Sequence, residues 1–232
     1  MELAIDTSTV IAGVAIAHEG QPIAEVVWRA GYEHTKQLYS TIEFALQQAV
    51  QSLDKIQAVA VAIGPGSFSG LRVGVSAAKG FAESLGVPLV SIPTMVVEAF
   101  SFAGLGLPIR PILDAGRGEI AVACYRNAHG GLEEVEAPRI TTVEALTATI
   151  TERTLFCGEH LPAVQASLAG LGPLAVIPPA AALPRRPGSL AALAWQRLEK
   201  GERDDPATLQ PLYLRGPSIT RPGPARLAKK GA

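Results

Sequence analysis

Apolar residues run through the first thirty positions in three blocks. "LAIDTST" and "AGVAIAHEG" are nearly continuous runs, and "QPIAEVVWRA" follows the turn "HEGQP", so an antiparallel meander of three strands is predicted. The spacing then changes. Over residues 34–51, Leu38, Ile42, Ala45, Leu46 and Ala49 fall on one stripe of a helix. "IQAVAVAIG" (56–64) is a short apolar run of the kind a buried strand makes. A helix over 69–85, a strand at "VPLVSI" and a helix over 94–104 capped by Thr94 complete a β-β-β-α-β-α-β-α order.

The second half opens after the loop signal "GLGLP" and resembles the first. Placing Asp6 of "LAIDTSTVIAGVAIA" on Asp114 of "PILDAGRGEIAVACY" sets Gly13-Val14-Ala15 on Ala121-Val122-Ala123 without a gap. Further strands are expected at 132–138, "TLFCG" and "LAVIP", with helices from Thr142, from Leu161 and over 189–200. The alternation makes this an α/β protein of two similar lobes, 1–104 and 105–214, followed by a basic tail, 215–232. A three-strand meander followed by αβαβα, used twice, resembles the layout of the actin, sugar-kinase and Hsp70 (ASKHA) superfamily. That resemblance implies a central cleft faced by the two turns Asp6-Thr7-Ser8-Thr9 and Asp114-Ala115-Gly116-Arg117, where nucleotide phosphates and their metal are handled.

Composition narrows the function. The 232 residues carry a net charge of −1, which argues against a dedicated nucleic-acid binder. Nearly half the residues are apolar, enough for a sizeable core. Cys124 and Cys157 lack CxxC spacing and read as reduced, buried thiols of a cytosolic protein. The start of the chain predicts no signal peptide, and no apolar run reaches membrane-spanning length.

The most distinctive stretch is the loop Gly64-Pro65-Gly66-Ser67-Phe68-Ser69-Gly70 with Arg72 beyond it. Leu71 follows Gly70, so no P-loop lysine is present, and the dinucleotide fingerprint fails at Ser69. Two readings stay open: a phosphate cradle, or a strand-to-helix turn whose glycines serve tight geometry. The helix after the loop has an apolar and small-residue arc of about 200°, roughly twice what one sheet face requires. It includes Gly70, Val73, Gly74, Ala77 and Phe81, and the small residues leave room for a second helix, from this chain or from a partner. On the helix at 34–51, the face opposite the core stripe holds Gln37, Ser40, Thr41, Phe44 and Gln48, uncharged and with one aromatic, a modest interface signal.

His18, His34, His129 and His160 form no helical HxxxH or HExxH pair, so no metal site is predicted. Asp6, Asp114 and Glu119 are candidate catalytic acids, but Asp6 and Asp114 suit turn caps equally well. The tail is rich in Pro, Gly and basic residues and reads as disordered, either solubilising or in contact with an RNA backbone.

"LAIDTS", "EHTKQL", "AIGPGSFSGLRVGVSAAKGFA", "DAGRGE" and "PLYLR" occur in this order across nearly the whole chain, which thereby resembles the bacterial TsaB family. The resemblance implies a non-catalytic, cytoplasmic subunit of the tRNA threonylcarbamoyladenosine machinery. Such a subunit pairs with TsaD, which transfers threonylcarbamoyl to N6 of adenosine 37 in tRNAs reading ANN codons. The ATPase TsaE joins the pair, and the chain homodimerises through the same N-lobe helices when alone. It further implies that ATP and metal belong to the partner subunits, none being bound by this chain alone, and that tRNA is met only through the complex. Ser69, Gly116 and Ala121 stand where the family usually has Thr, Arg and Tyr. The competing reading is an ASKHA-type small-molecule kinase or ATPase using Asp6 and Asp114. On the scaffold reading, Gly74→Arg is expected to break partner binding and leave the fold intact.

Overall fold

The computed structural model describes residues 1–31, 34–128, 131–179 and 185–216. The first half forms β1 (Glu2–Asp6), β2 (Ile11–His18), β3 (Gln21–Arg29), α1 (His34–Gln48), β4 (Ala58–Ala62), α2 (Phe68–Leu85), β5 (Leu89–Ile92) and α3 (Thr94–Phe100). The second half forms β6 (Ile109–Gly116), β7 (Glu119–Ala128), β8 (Gly131–Thr141), α4 (Val143–Thr147), β9 (Thr154–Cys157), α5 (Leu161–Ala169), β10 (Ala175–Val176) and α6 (Pro187–Glu199). The two sheets have the orders β3-β2-β1-β4-β5 and β8-β7-β6-β9-β10, so the second half repeats the topology of the first.

Side-chain size sorts the two faces of the first sheet. Leu3, Ile5, Val14, Ile16, Val59 and Val61 pack toward α1 and α2, whereas Ala4, Ala15, Ala17, Ala60 and Ala62 form the opposite face with Leu190, Ala191 and Ala194 of α6. Strand residues alternate faces with period two, and small residues on one face let a helix lie close. The approach is tight at Gly13, where a side-chain carbon would press against Pro187. Glu25 of β3 caps α6, accepting from the Gly188 N–H at 2.8 Å.

The lobes exchange their last helices. α6 packs on the first sheet although it falls within residues 105–214, while α3 packs on β6, β7 and β8 of the second sheet. Met95 and Ala99 of α3 accordingly belong to the second lobe's core with Ile109, Val122 and Leu161. Thr94 is the first residue of α3, not its cap. Its hydroxyl accepts from the Gly64 N–H at 3.0 Å, fixing the glycine loop to the entry of the helix. Both cysteines are buried free thiols. No helix among the described residues is long and apolar enough to cross a membrane. Of the predicted tail, residues 217–232 lie outside the described residues, as does His129. Arg215 pairs with Glu119 of β7 at 2.5 Å.

Candidate functional site

The two aspartate turns differ in construction. In the first lobe the β1–β2 ladder begins at Asp6↔Gly13, so residues 7–12, of which Ile11 and Ala12 already belong to β2, form a wide loop above it. In the second, the ladder continues to Gly116↔Glu119, and Arg117 and Gly118 (φ +61° and +75°) close a two-residue hairpin turn. Asp114 therefore pairs with Ile120, one residue short of the spacing in the first lobe. The exposed Asp114 carboxylate accepts from the Gly116 N–H at 2.8 Å and caps its own turn.

The wide first turn is filled by an arginine that the sequence reading passed over. Arg185 stands just before α6 and is buried, with its guanidinium inside loop 7–12. Its Nε donates to Asp6 Oδ2 at 2.8 Å and its Nη1 to Glu98 Oε1 at 3.0 Å and Glu159 Oε2 at 3.3 Å. Nη2 donates to Ser8 Oγ at 3.2 Å, Thr9 Oγ1 at 2.9 Å and the Ile11 carbonyl at 3.5 Å. The Ser8 hydroxyl and N–H both donate to Asp6 Oδ1, at 2.5 and 2.9 Å. Thr9 also donates to Glu159.

Three elements deliver the carboxylates. Asp6 ends β1, Glu98 lies one turn into α3 beyond Thr94, and Glu159 follows Gly158 at the end of β9. Gly158 has φ +112°, and any side chain there would strike the Ile112 backbone, so glycine is required to bring the chain round. Gly64 holds the matching place in the first lobe, with φ +113° and the Leu212 carbonyl against it.

The electrostatics follow from one cation among three buried or half-buried acids. Burial opposes ionisation of Asp6, yet Arg185 and Ser8 hold its carboxyl below the usual range. For Glu98, burial dominates and the neighbouring Asp6 and Glu159 add to it. Its carboxyl is pushed up to about 7 despite Arg185. Burial also works against the charged guanidinium, but the facing carboxylates hold Arg185 firmly in its charged form.

The fold implies a nucleotide and its metal between the two turns, and the first turn does not fit them. The Asp6 oxygens are taken by Arg185 and Ser8, and the turn already holds a buried guanidinium, a cation in place of a metal. A cavity of about 200 Å³ lies nearby between the lobes, lined among others by Gly66, Phe68, Asp114, Ala121, Tyr213 and Arg215.

The glycine loop is shaped by the same turn. Gly66 lies flat on the Ser8 carbonyl, which accepts from the Ser67 N–H at 2.7 Å. Ser67 caps α2, its hydroxyl accepting from Gly70 at 3.4 Å. The Thr7 hydroxyl donates to the Gly70 carbonyl at 2.7 Å. These bonds tie the loop to the β1–β2 turn and to the start of α2. Cis-Pro65 is buried, whereas Phe68, Ser69 and Arg72 are exposed. Phe68 stacks on Tyr213 at 5.0 Å, and Arg72 lies over the Phe68 ring at 5.2 Å.

The small residues of α2 require a correction. Gly70, Gly74 and Ala77 are buried, and a side chain at Gly74 would run into Thr7 Oγ1. The space beside Gly74 is filled by the β1–β2 turn of the same chain, so Gly74→Arg would disrupt the fold rather than a partner contact. Much of the wide apolar arc has this internal cause. Val73 and Phe81 remain half-buried on the side toward α1, where Phe81 meets Tyr39 at 5.9 Å. Tyr39 is 56 % exposed and was not among the expected residues. On the other flank of α1, Gln37 accepts from Trp28 Nε1 of β3 at 2.9 Å, and Thr41 donates to the Gln37 carbonyl. Ser40 and Gln48 are exposed, and Phe44 is 49 % exposed. The expected residues thus fall on two sides of α1, and Tyr39, not Phe44, is the aromatic at the α1–α2 seam.

Two mixed sheets of one order, each covered by a helix from the other half, define a two-lobed ASKHA-type protein whose first cleft turn is closed by its own arginine. Residues 28–219 match the family model described as TsaD, tRNA N6-adenosine threonylcarbamoyltransferase. The chain is 31% identical over 220 residues to the tRNA threonylcarbamoyladenosine biosynthesis protein TsaB of Bacillus subtilis, covering 92% of this chain and 93% of that one. It is 33% identical over 142 residues to the Escherichia coli TsaB, covering 58% and 60%. In structure it is similar to YeaZ from Pseudomonas aeruginosa (TM-score 0.78, 23% identity, 92% and 99% covered). It also shares its fold with a 2-hydroxyisocaproyl-CoA dehydratase activator from Clostridium difficile that holds ADPNP (TM-score 0.52, 9% identity, 86% and 96% covered). The chain belongs to the TsaB family, within the wider TsaD-like family.

Proposed function

We propose that this chain is a non-catalytic docking subunit in tRNA threonylcarbamoyladenosine biosynthesis. Its N-lobe helices α1 and α2 meet a TsaD-type catalytic subunit, TsaE joins the pair, and a second copy takes the same face when the chain is alone. Nucleotide and metal belong to those partners, tRNAs reading ANN codons are met only through the complex, and the assembly is cytoplasmic. The observation that carries this reading is the Arg185–Asp6 pair, which leaves the first cleft turn without a carboxylate for a nucleotide-bound metal. The half-open seam of Tyr39, Val73 and Phe81 beside the exposed Arg72 supplies apolar and cationic groups of the kind found at protein interfaces.

The test is light scattering on size-exclusion fractions of the chain alone and mixed with TsaD of the same organism. A new species at the summed mass supports docking. Two unshifted peaks, together with ATP binding or hydrolysis by this chain alone, would replace it with the kinase or ATPase reading.

A further inference from the structure

The Arg185 cluster and the docking helix are connected by an unbroken series of contacts. Arg185 holds Asp6, Ser8 and Thr9, so loop 7–12 wraps a charged group instead of standing free. That loop presents the Ser8 carbonyl to the Ser67 N–H and the Thr7 hydroxyl to the Gly70 carbonyl, and it fills the space beside Gly66 and Gly74. These are the cap and first two turns of α2. From the other direction, Glu159 of the second lobe reaches both Arg185 and Thr9. Glu98, on the helix that crosses between the lobes, takes Nη1 together with Glu159.

We propose that Arg185 is a positioning residue for the docking face: through the Thr7–Thr9 turn it sets the start of α2, and through Glu159 it makes that setting depend on how the second lobe sits. The inference rests on the α1–α2 docking reading. Its physical basis is the fork of the guanidinium, which engages five side chains and a carbonyl from fixed directions, as a point charge could not. A side chain serving only to neutralise buried acids would have no need of the Ser8 and Thr9 hydroxyls as acceptors. The contact to Glu159 also makes the second lobe part of the arrangement that shapes a surface of the first.

Two variants separate positioning from bulk stability. Arg185→Lys keeps a cation near Asp6 and Glu98 but loses the fork. Glu159→Gln leaves the Asp6 and Glu98 contacts in place and removes only the charge from the second lobe. Both are titrated against TsaD, and amide exchange is followed at Ser67 and Gly70 and at Val122 in the second core. Tyr39→Ala and Arg72→Glu serve as direct probes of the face. The expected result is TsaD affinity reduced about tenfold by Arg185→Lys and at least threefold by Glu159→Gln. Exchange at Ser67 and Gly70 rises in both, with Val122 unchanged. Should Arg185→Lys not fold, Glu159→Gln decides alone. Unchanged TsaD affinity in Glu159→Gln and in folded Arg185→Lys, beside loss in the Tyr39 and Arg72 variants, would overturn the positioning role and leave docking intact. Exchange that rises equally at Val122 would overturn it too, as general destabilisation. If Tyr39→Ala and Arg72→Glu also bind unchanged, the docking reading fails and the positioning role with it.

Discussion

Arg185 Nε and Asp6 Oδ2 lie 2.8 Å apart across 179 residues of sequence, joining the approach to the last helix to the end of the first strand. The pair is fully inside the protein, where the attraction between opposite charges must offset the desolvation of both. Removing one member strands the other. Arg185→Met is expected to destabilise by about 3–5 kcal/mol, because three acids are left without their cation. Adding Asp6→Asn to that variant should recover part of the loss, so the two changes are strongly non-additive. Urea unfolding of the two single variants and the double variant measures the coupling. Additive costs would mean that the pair is not the unit holding the turn.

Glu98 gives the cluster a pH dependence of a particular sign. Its folded-state value of about 7 lies above the ordinary glutamate value, so the folded protein keeps a proton that the unfolded chain releases. Stability from this group is fully present below the ordinary value, falls as the pH rises to about 7, and is flat above. Asp6 acts in the opposite sense: its carboxyl is held low, so its contribution is present above the ordinary aspartate range and is lost as the pH falls through the depressed value. Glu98→Gln should therefore raise stability above pH 7 by an amount on the order of 1–3 kcal/mol and flatten the profile between about pH 5 and 7. Denaturant midpoints of both proteins across that range provide the check.

The strands and most helices were legible because their signals are local. "AVAVA" in β4 alternates large and small residues, and the structure uses that alternation to seat α2 on one face and α6 on the other. The partner of each face was not legible. The residues over 189–200 announce a helix, not that the sheet covering it belongs to the other half of the chain. Arg185 was missed for the same reason. It stands in "PRRPG", a Pro-rich stretch that reads as a loop, and only the fold brings it to Asp6. The one available hint was two arginines in an otherwise apolar segment. Gly74 was misjudged because a missing side chain marks a close approach without saying what approaches. The neighbour is Thr7, which lies 67 positions earlier.

Gly74 and Thr7 can be tested as a pair. Gly74→Ala places a carbon against the Thr7 hydroxyl and is expected to cost about 1–3 kcal/mol as an overpacked contact, more than its gain in helix propensity. Thr7→Ala removes the hydroxyl, along with its bond to the Gly70 carbonyl. In the double variant the clash is gone, so Gly74→Ala should be close to neutral in the Thr7→Ala background. A thermal-melt cycle over the four proteins reads the coupling directly. An equal cost in both backgrounds would place the crowding elsewhere.

The two flanks of α1 make the last prediction. Phe44 and Tyr39 are similarly exposed, at 49 % and 56 %, so exposure alone does not choose between them. Their neighbours do. Tyr39 touches Phe81 and shares a groove with Arg72, Val73, Ser76 and Ala77 of α2, forming a continuous surface of two elements. Gln37 and Thr41, on the far flank, are tied to each other and to Trp28 of β3. An aromatic at the centre of a two-element groove loses more water-exposed area on docking than one at its margin, and such central anchors carry most of the binding energy. Tyr39→Ala is therefore expected to weaken TsaD binding by about 2 kcal/mol, roughly thirtyfold, and Phe44→Ala by less than about 0.5 kcal/mol. Isothermal titration of both variants decides the matter. The reverse order of effects would move the docking face from the α1–α2 seam to the β3 side of α1.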